Sequence, residues 1–196
     1  MNVALIKYNA GNIQSVIFAL ERLGLNALVT DDPKEIISAD KVIFPGVGEA
    51  KSAMESLREK GLDKVIKELQ QPVLGICVGM QLLCSTSEEN NAACLNVIPI
   101  AVKKFLPGEQ KLKVPQVGWN NIYNLQSPLF TGIANQSFIY NVHSYYAEDS
   151  EYTIANCQYG LEYAAAIKKD NFYGVQFHTE KSAATGDAII KNFLAI

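Results

Sequence analysis

The chain of 196 residues is poor in the residues that staple or anchor a fold. It has four cysteines (Cys77, Cys84, Cys94, Cys157), none in a C-x-x-C pair, and only two histidines. That spacing offers no zinc ligand set, so no metal site is expected. A disulfide framework is not expected either, because a domain of this size buries a sufficient core without one. Reduced thiols and a cytoplasmic setting are the corresponding expectations. No apolar stretch reaches the roughly 18 residues of a membrane span, so no membrane partner is expected. Met1-Asn2-Val3-Ala4-Leu5-Ile6-Lys7 reads as a strand and lacks the basic, cleavable character of an export signal. Charged residues are only 19% of the chain, with a formal net charge of −3, and nucleic acid is not an expected partner. Linkers, repeats and low-complexity stretches are also missing, and residues 1–196 read as a single domain.

What is present is a regular alternation of strand and helix in the first half. Val3 to Ile6, Ala27 to Thr30, Lys41 to Phe44 and Val73 to Ile76 are short, nearly continuous apolar runs. Between them lie helical patterns. One is the stripe Ile13, Val16, Ile17, Leu20, Leu23, with Asn12 as its expected cap and Gly24 as its stop. Others follow Pro33, run through Met54 and Leu57, and run through Val65 and Leu69. Apolar strands separated by helices predict a parallel sheet covered on both faces. After about residue 95 the strand-like segments crowd together: Val97 to Phe105, Phe138 to Val142, Tyr152 to Ala155, Ala164 to Lys168 and Phe172 to Phe177. Short connections predict antiparallel pairing there. A last helix is expected from about Thr185 to Leu194. The fold class is therefore α/β, an open mixed sheet with a parallel core flanked by helices and an antiparallel extension.

One pentapeptide carries chemistry. Gly75-Ile76-Cys77-Val78-Gly79 puts a cysteine between two glycines directly after the apolar Pro72-Val73-Leu74. Glycines on both sides permit a sharp strand-to-helix turn that lifts the side chain above the sheet, at a helix N-terminus that favours a thiolate. Alone, the same five residues fit a small buried thiol equally well. A nucleophile needs a base, and the base an orienting group. His178 ends the strand-like Tyr173–Phe177 run, and in an extended segment Glu180 would project to the same side and fix its tautomer. His143 has no acidic residue at that spacing, and Ser144-Tyr145-Tyr146 after it reads as a recognition loop. His178 is the expected base. Acyl transfer also needs oxyanion donors. The backbone N–H of Val78 is one candidate, and Pro45-Gly46-Val47-Gly48 offers a second through Val47.

These residues resemble the class I (triad) glutamine amidotransferases, through Gly75-Ile76-Cys77-Val78-Gly79-Met80-Gln81 and Phe177-His178-Thr179-Glu180. Within that family, four further segments resemble the glutaminase subunits of imidazole glycerol phosphate synthases. They are Tyr8-Asn9-Ala10-Gly11-Asn12, Pro45-Gly46-Val47-Gly48, Val117-Gly118-Trp119-Asn120-Asn121, and His143-Ser144-Tyr145-Tyr146 with Glu180-Lys181-Ser182. The order is kept over nearly the whole chain. The resemblance implies a flavodoxin-like sheet, Cys77 as nucleophile, His178 as acid/base and Glu180 as its orienter. It implies L-glutamine held by Gln81 and Glu89 and by backbone at Gly48, Ser144 and Tyr145. No cofactor is implied. The implied partner is a (β/α)₈-barrel cyclase forming a heterodimer and receiving ammonia, met through Asn12, Trp119, Tyr140 and Lys181. Core packing is the competing expectation for Trp119 and Tyr140. The chain departs from the family pattern at Lys7, at Thr179 in place of a usual proline, in the glycine-free stretch 92–96, and at Gln116-Val117. These departures leave a second expectation open, an amidotransferase subunit serving another acceptor such as a surface-sugar synthase.

Overall fold

A computed structural model of the chain describes residues 1–8, 13–108 and 111–196. Strand and helix alternate through β1 (Val3–Ile6), α1 (Ile13–Arg22), β2 (Ala27–Thr30), α2 (Pro33–Ser38), β3 (Lys41–Gly46), α3 (Ala50–Glu59), α4 (Leu62–Glu68), β4 (Val73–Cys77) and α5 (Val78–Leu83). β1, β3 and β4 are buried at every position, which accounts for apolar runs with no polar alternation. α1 buries Val16 and Leu20 of its stripe together with Ala19, while Ile13, Ile17 and, just past its end, Leu23 pack partly buried against the core; its expected cap, Asn12, lies outside the described residues. α2 begins at Pro33 because Asp32 accepts the backbone N–H of Lys34 at 2.8 Å.

The second half contributes β5 (Thr86–Ser87), β6 (Ala92–Ala93), β7 (Ala101–Lys104), β8 (Gln116–Ile122), β9 (Ser137–His143), β10 (Tyr145–Ala147), β11 (Thr153–Tyr159), β12 (Leu161–Lys169), β13 (Phe172–Val175) and α6 (Ala183–Ala195). The main sheet runs β2-β1-β3-β4-β13-β12-β10-β7-β5-β6, with β11 on β12, while β8 and β9 form a separate ribbon. From β2 to β13 neighbouring strands are parallel. From β13 through β12 and β10 to β7 they are antiparallel. The architecture is thus an open mixed sheet with a parallel core and an antiparallel extension.

Two expected strands are shorter than their apolar runs. Val97 to Phe105 becomes a strand only at Ala101–Lys104, because the N–H groups of Val97 and Ile98 bond back to the Leu83 carbonyl at the end of α5. Phe172 to Phe177 ends at Val175 because the chain changes partner: Gln176 N–H donates to Ala165 on β12, and His178 N–H to Tyr140 on β9. That change matters for the site. β13 pairs with β4 in the register Val175↔Ile76, so Gln176 arrives beside Cys77 and His178 just beyond it. Among the described residues, no helix is long and apolar enough to cross a membrane.

Candidate active site

Cys77 is the last residue of β4 and sits at φ 55°, ψ −113°, a conformation strained for any side chain but glycine's. The glycines around it make this possible. A Cβ on Gly79 would lie 1.9 Å from the Phe44 carbonyl oxygen, and one on Gly75 would lie 2.8 Å from the Met80 nitrogen. Only glycines let α5 press against β3 and β4, turning the chain sharply enough to aim Cys77 out of the sheet. α5 is buried along its whole length, which anchors the turn.

Cys77 opens into a cavity of about 290 Å³ lined by Val47, Gly48, Val78, Gln81, Glu89, His178 and the segment from Val142 to Tyr145, where β9 passes into β10, with Pro115. That is at the small end of ligand pockets and fits a metabolite better than a polymer. Every residue expected to act on or hold substrate therefore lines one cavity, except Glu180, which stands behind His178. His178 Nδ1 donates to Glu180 Oε1 at 2.7 Å, with the two side chains only 6% and 3% exposed. The pair forms, but not in extended backbone: Thr179–Lys181 is a 3₁₀ turn. Burial alone would push the His178 imidazole down. Hydrogen bonds and opposite charge from Cys77 and Glu180 outweigh it and raise the pKa to about 10. The turn is held by Ser182, whose Oγ donates to the His178 carbonyl at 2.6 Å and accepts the Tyr140 N–H at 2.9 Å.

His143 is equally buried but differently used. Its Nδ1 donates to the Tyr145 carbonyl at 2.8 Å, and Nε2 stands 3.4 Å from the Tyr163 hydroxyl. Burial lowers its pKa to about 4, so it is neutral. Glu89 accepts the Ala50 N–H at 2.7 Å through Oε2. Burial raises its pKa, against the pull of that N–H. Gln81, wholly interior, donates to the Tyr145 carbonyl and to Gln176.

Several residues of the site carry no role in the sequence reading. Tyr8 pins the glycine loop by donating its buried hydroxyl to the Pro45 carbonyl at 2.7 Å. Gln176 lies between Gln81 and Cys77, and strand alternation could have found it, two residues before His178. Pro115 and Val142 have no such signal, since long-range folding alone brings them there. On the outer face of the β8–β9 ribbon, Trp119 packs edge-on against Tyr140 at 5.6 Å, and Val117, Trp119 and Phe138 are 60%, 54% and 59% exposed. Core packing is thereby ruled out for Trp119. Lys181 is exposed beside this ribbon's contact with the 3₁₀ turn. Among the described residues no group of His, Cys, Asp and Glu could hold a metal.

The family model for class I glutamine amidotransferases matches residues 4–196. The imidazole glycerol phosphate synthase subunit HisH of Bacteroides fragilis (strain YCH46) is 55% identical over 196 residues, the full length of both chains. The same subunit of Idiomarina loihiensis is 45% identical over 197 residues, covering 100% of this chain and 98% of that protein. Among solved structures, one described as a glutamine amidotransferase superposes with a TM-score of 0.77 at 17% identity, covering 100% of this chain and 98% of its own. PurLQS from Thermotoga maritima gives a TM-score of 0.72 at 16% identity, covering 99% and 97%. The two structures share the fold; the sequence matches say more, and the chain belongs to the class I glutamine amidotransferases and, within them, to the family of the imidazole glycerol phosphate synthase HisH subunits.

Proposed function

We propose that this chain hydrolyses L-glutamine to glutamate and ammonia through a Cys77 thioester, as the glutaminase subunit of imidazole glycerol phosphate synthase in histidine biosynthesis. The observation that carries the reading is the line of Cys77, His178 and Glu180, with the histidine's proton demand raised by both neighbours. The Cys77 thiolate attacks the carboxamide carbon, and the backbone N–H groups of Val78 and Val47 take the developing oxyanion. His178 gives its proton to the leaving nitrogen, the C–N bond breaks and ammonia departs. Water then attacks the thioester, with His178 as base, and glutamate leaves as the C–S bond breaks. Glu180 keeps the imidazole in the required orientation. Gly48, Gln81, Ser144 and Tyr145 hold the substrate, and the carboxylate of the half-buried Glu89 suits its α-ammonium, since a cation offsets the cost of its partial burial.

Ammonia released into water is protonated and lost to synthesis, so its source works beside its acceptor. The partner is a (β/α)₈-barrel cyclase that forms imidazole glycerol phosphate and an aminoimidazole carboxamide ribonucleotide. The exposed apolar face of the β8–β9 ribbon, with Trp119, Tyr140 and the nearby Lys181, is the surface offered to it. Residues 1–196 act as one amidotransferase domain in the cytoplasm, where the four free cysteines stay reduced.

The test is glutamate release measured for the wild type and Cys77→Ala, each with and without the cyclase and its nucleotide ligand. Release that requires Cys77 and rises with the liganded cyclase is the expected result. No release in any combination overturns the reading.

A further inference from the structure

Gln176 is fully buried and touches two groups of the site at once. Gln81 Nε2 donates to the Tyr145 carbonyl at 3.1 Å and to Gln176 Oε1 at 2.9 Å. Gln176 Nε2 in turn donates to Cys77 Sγ at 3.8 Å. The direction of this chain is not free. A backbone carbonyl can only accept, so the end of the Gln81 amide that faces Tyr145 must be its NH₂. That NH₂ also faces Gln176, which must therefore present oxygen. A primary amide has one oxygen and one nitrogen, so the other end of Gln176, at Cys77, is an N–H donor. Turning either amide over would set donor against donor or acceptor against acceptor in a buried place.

We propose that Gln176 is a positioning residue for glutamine hydrolysis, with two effects set by one carbonyl. It locks the Gln81 amide so that oxygen is the atom left for the substrate's N–H groups, and it aims an N–H at the Cys77 sulfur. The proposal rests on Cys77 being the nucleophile. A sulfur that accepts an N–H is favoured as thiolate; as a thiol it would instead donate to the Val142 carbonyl, 3.9 Å away. The titratable groups near the sulfur are His178, beyond the end of β13, and Tyr8, beyond the end of β1. His143 and Glu89 line the rest of the cavity. Gln176 differs from all of them because it does not titrate. Its N–H stays in place while His178 gives up and regains its proton, so it supports the sulfur as attacking group and as leaving group alike.

The experiment compares wild type, Gln176→Leu and Gln176→Glu in the complex with the cyclase. It measures glutaminase kcat and KM, and the rate at which iodoacetamide alkylates Cys77 between about pH 5 and pH 9, read from the mass of the Cys77 peptide. Leucine removes both links. We expect alkylation near neutral pH to slow about tenfold or more, its profile to move to higher pH, kcat to fall and KM to rise. Glutamate is nearly the same shape and still accepts from Gln81, so KM stays near the wild-type value. Ionised, it cannot donate to sulfur and repels the thiolate, so above its own titration kcat falls and the alkylation profile moves further up. A residue with only a packing role would lower the melting temperature of both variants while leaving the alkylation profile and the split between KM and kcat unmoved, and that result overturns the proposal. Should Gln176→Leu fail to fold, the near-isosteric Gln176→Glu decides alone: an unmoved alkylation profile overturns the proposal. Failure of the nucleophile reading shows itself separately, as wild-type activity that survives Cys77→Ala.

Discussion

His143 and His178 line the same cavity, each 5% exposed, and their pKa values are driven in opposite directions. Burial pushes both imidazoles down, and for His143 nothing strong opposes it. Its partners are a backbone carbonyl and a phenol; burial outweighs the upward pull of the Tyr145 carbonyl, and the charge of His178 adds to the lowering. His178 instead has a carboxylate at 2.7 Å and a cysteine on its other side. Equal depth thus goes with a lowered pKa in one ring and a raised one in the other. What decides is the charge of the neighbours, because a shift of one pKa unit needs only about 1.4 kcal/mol of preference.

The sharpest way to break the contrast is Glu180→Gln. The amide keeps the shape and removes the charge that orients and protonates His178. Glutaminase activity in the cyclase complex should fall about 10²- to 10⁴-fold. The His178 pKa, followed by NMR of the ring protons, should drop from about 10 toward the ordinary histidine range. Activity within tenfold of wild type together with an unmoved titration would show that Glu180 is not what distinguishes the two rings.

His143→Phe applies the same pressure to the other ring. It leaves the Tyr145 carbonyl with one donor fewer, which should destabilise the fold by about 1–3 kcal/mol in urea unfolding. In the proposed mechanism no proton passes through His143, so activity should fall less than tenfold. A loss as large as that of Glu180→Gln would erase the division of labour.

A third prediction uses pH alone. His178 has a folded pKa raised to about 10, so its contribution to stability is full below the unfolded value near 6.5 and is lost as pH rises through about 10. His143 has a folded pKa lowered to about 4, so its contribution is present above about 6.5 and is lost as pH falls through about 4. Urea midpoints plotted against pH should therefore fall on both sides of neutrality, with His178 contributing to the alkaline flank and His143 to the acid one. Glu180→Gln should flatten the alkaline flank and His143→Phe the acid one. Flattening of the opposite flank in either variant would contradict the assignment.

Much of this was legible in the sequence where a local pattern carried it. Gly75 and Gly79 flank Cys77 because α5 must touch β3 and β4, and that steric demand is written in five consecutive residues. The His178–Glu180 pair was legible from spacing, although the backbone that makes it is a 3₁₀ turn where extended chain was expected. The short strands β5, β6 and β10 were not, since two or three residues have no periodicity to read. Their effect is not minor: β10 supplies the Tyr145 carbonyl that orients both His143 and Gln81. Trp119 could be read as core or surface from its neighbours alone. Its exposure goes with the place of β8 in a two-stranded ribbon with β9, separate from the main sheet, a fact of topology.

The smallest prediction lies between the two members of the charged pair. Thr179 is fully buried, and its Oγ1 has no hydrogen-bond partner among the described residues. Glu180 Oε2 lacks one too, which leaves the carboxylate's charge committed to His178. His143, by contrast, has both ring nitrogens near polar partners. The unpartnered oxygens thus lie on the two residues after His178, while two residues before His143 it is the amide of Asn141 that lacks partners. Valine has the shape of threonine without the hydroxyl, so Thr179→Val removes an unsatisfied group and opens no cavity. Stability should rise by about 1 kcal/mol, a melting temperature gain of about 2–4 °C for a chain of this size. Glutaminase activity should stay within about twofold, because the hydroxyl touches neither His178 Nδ1 nor Glu180 Oε1. Differential scanning calorimetry checks it. A lower melting temperature would mean that the hydroxyl is hydrogen-bonded in solution, and that the turn joining His178 to Glu180 depends on it.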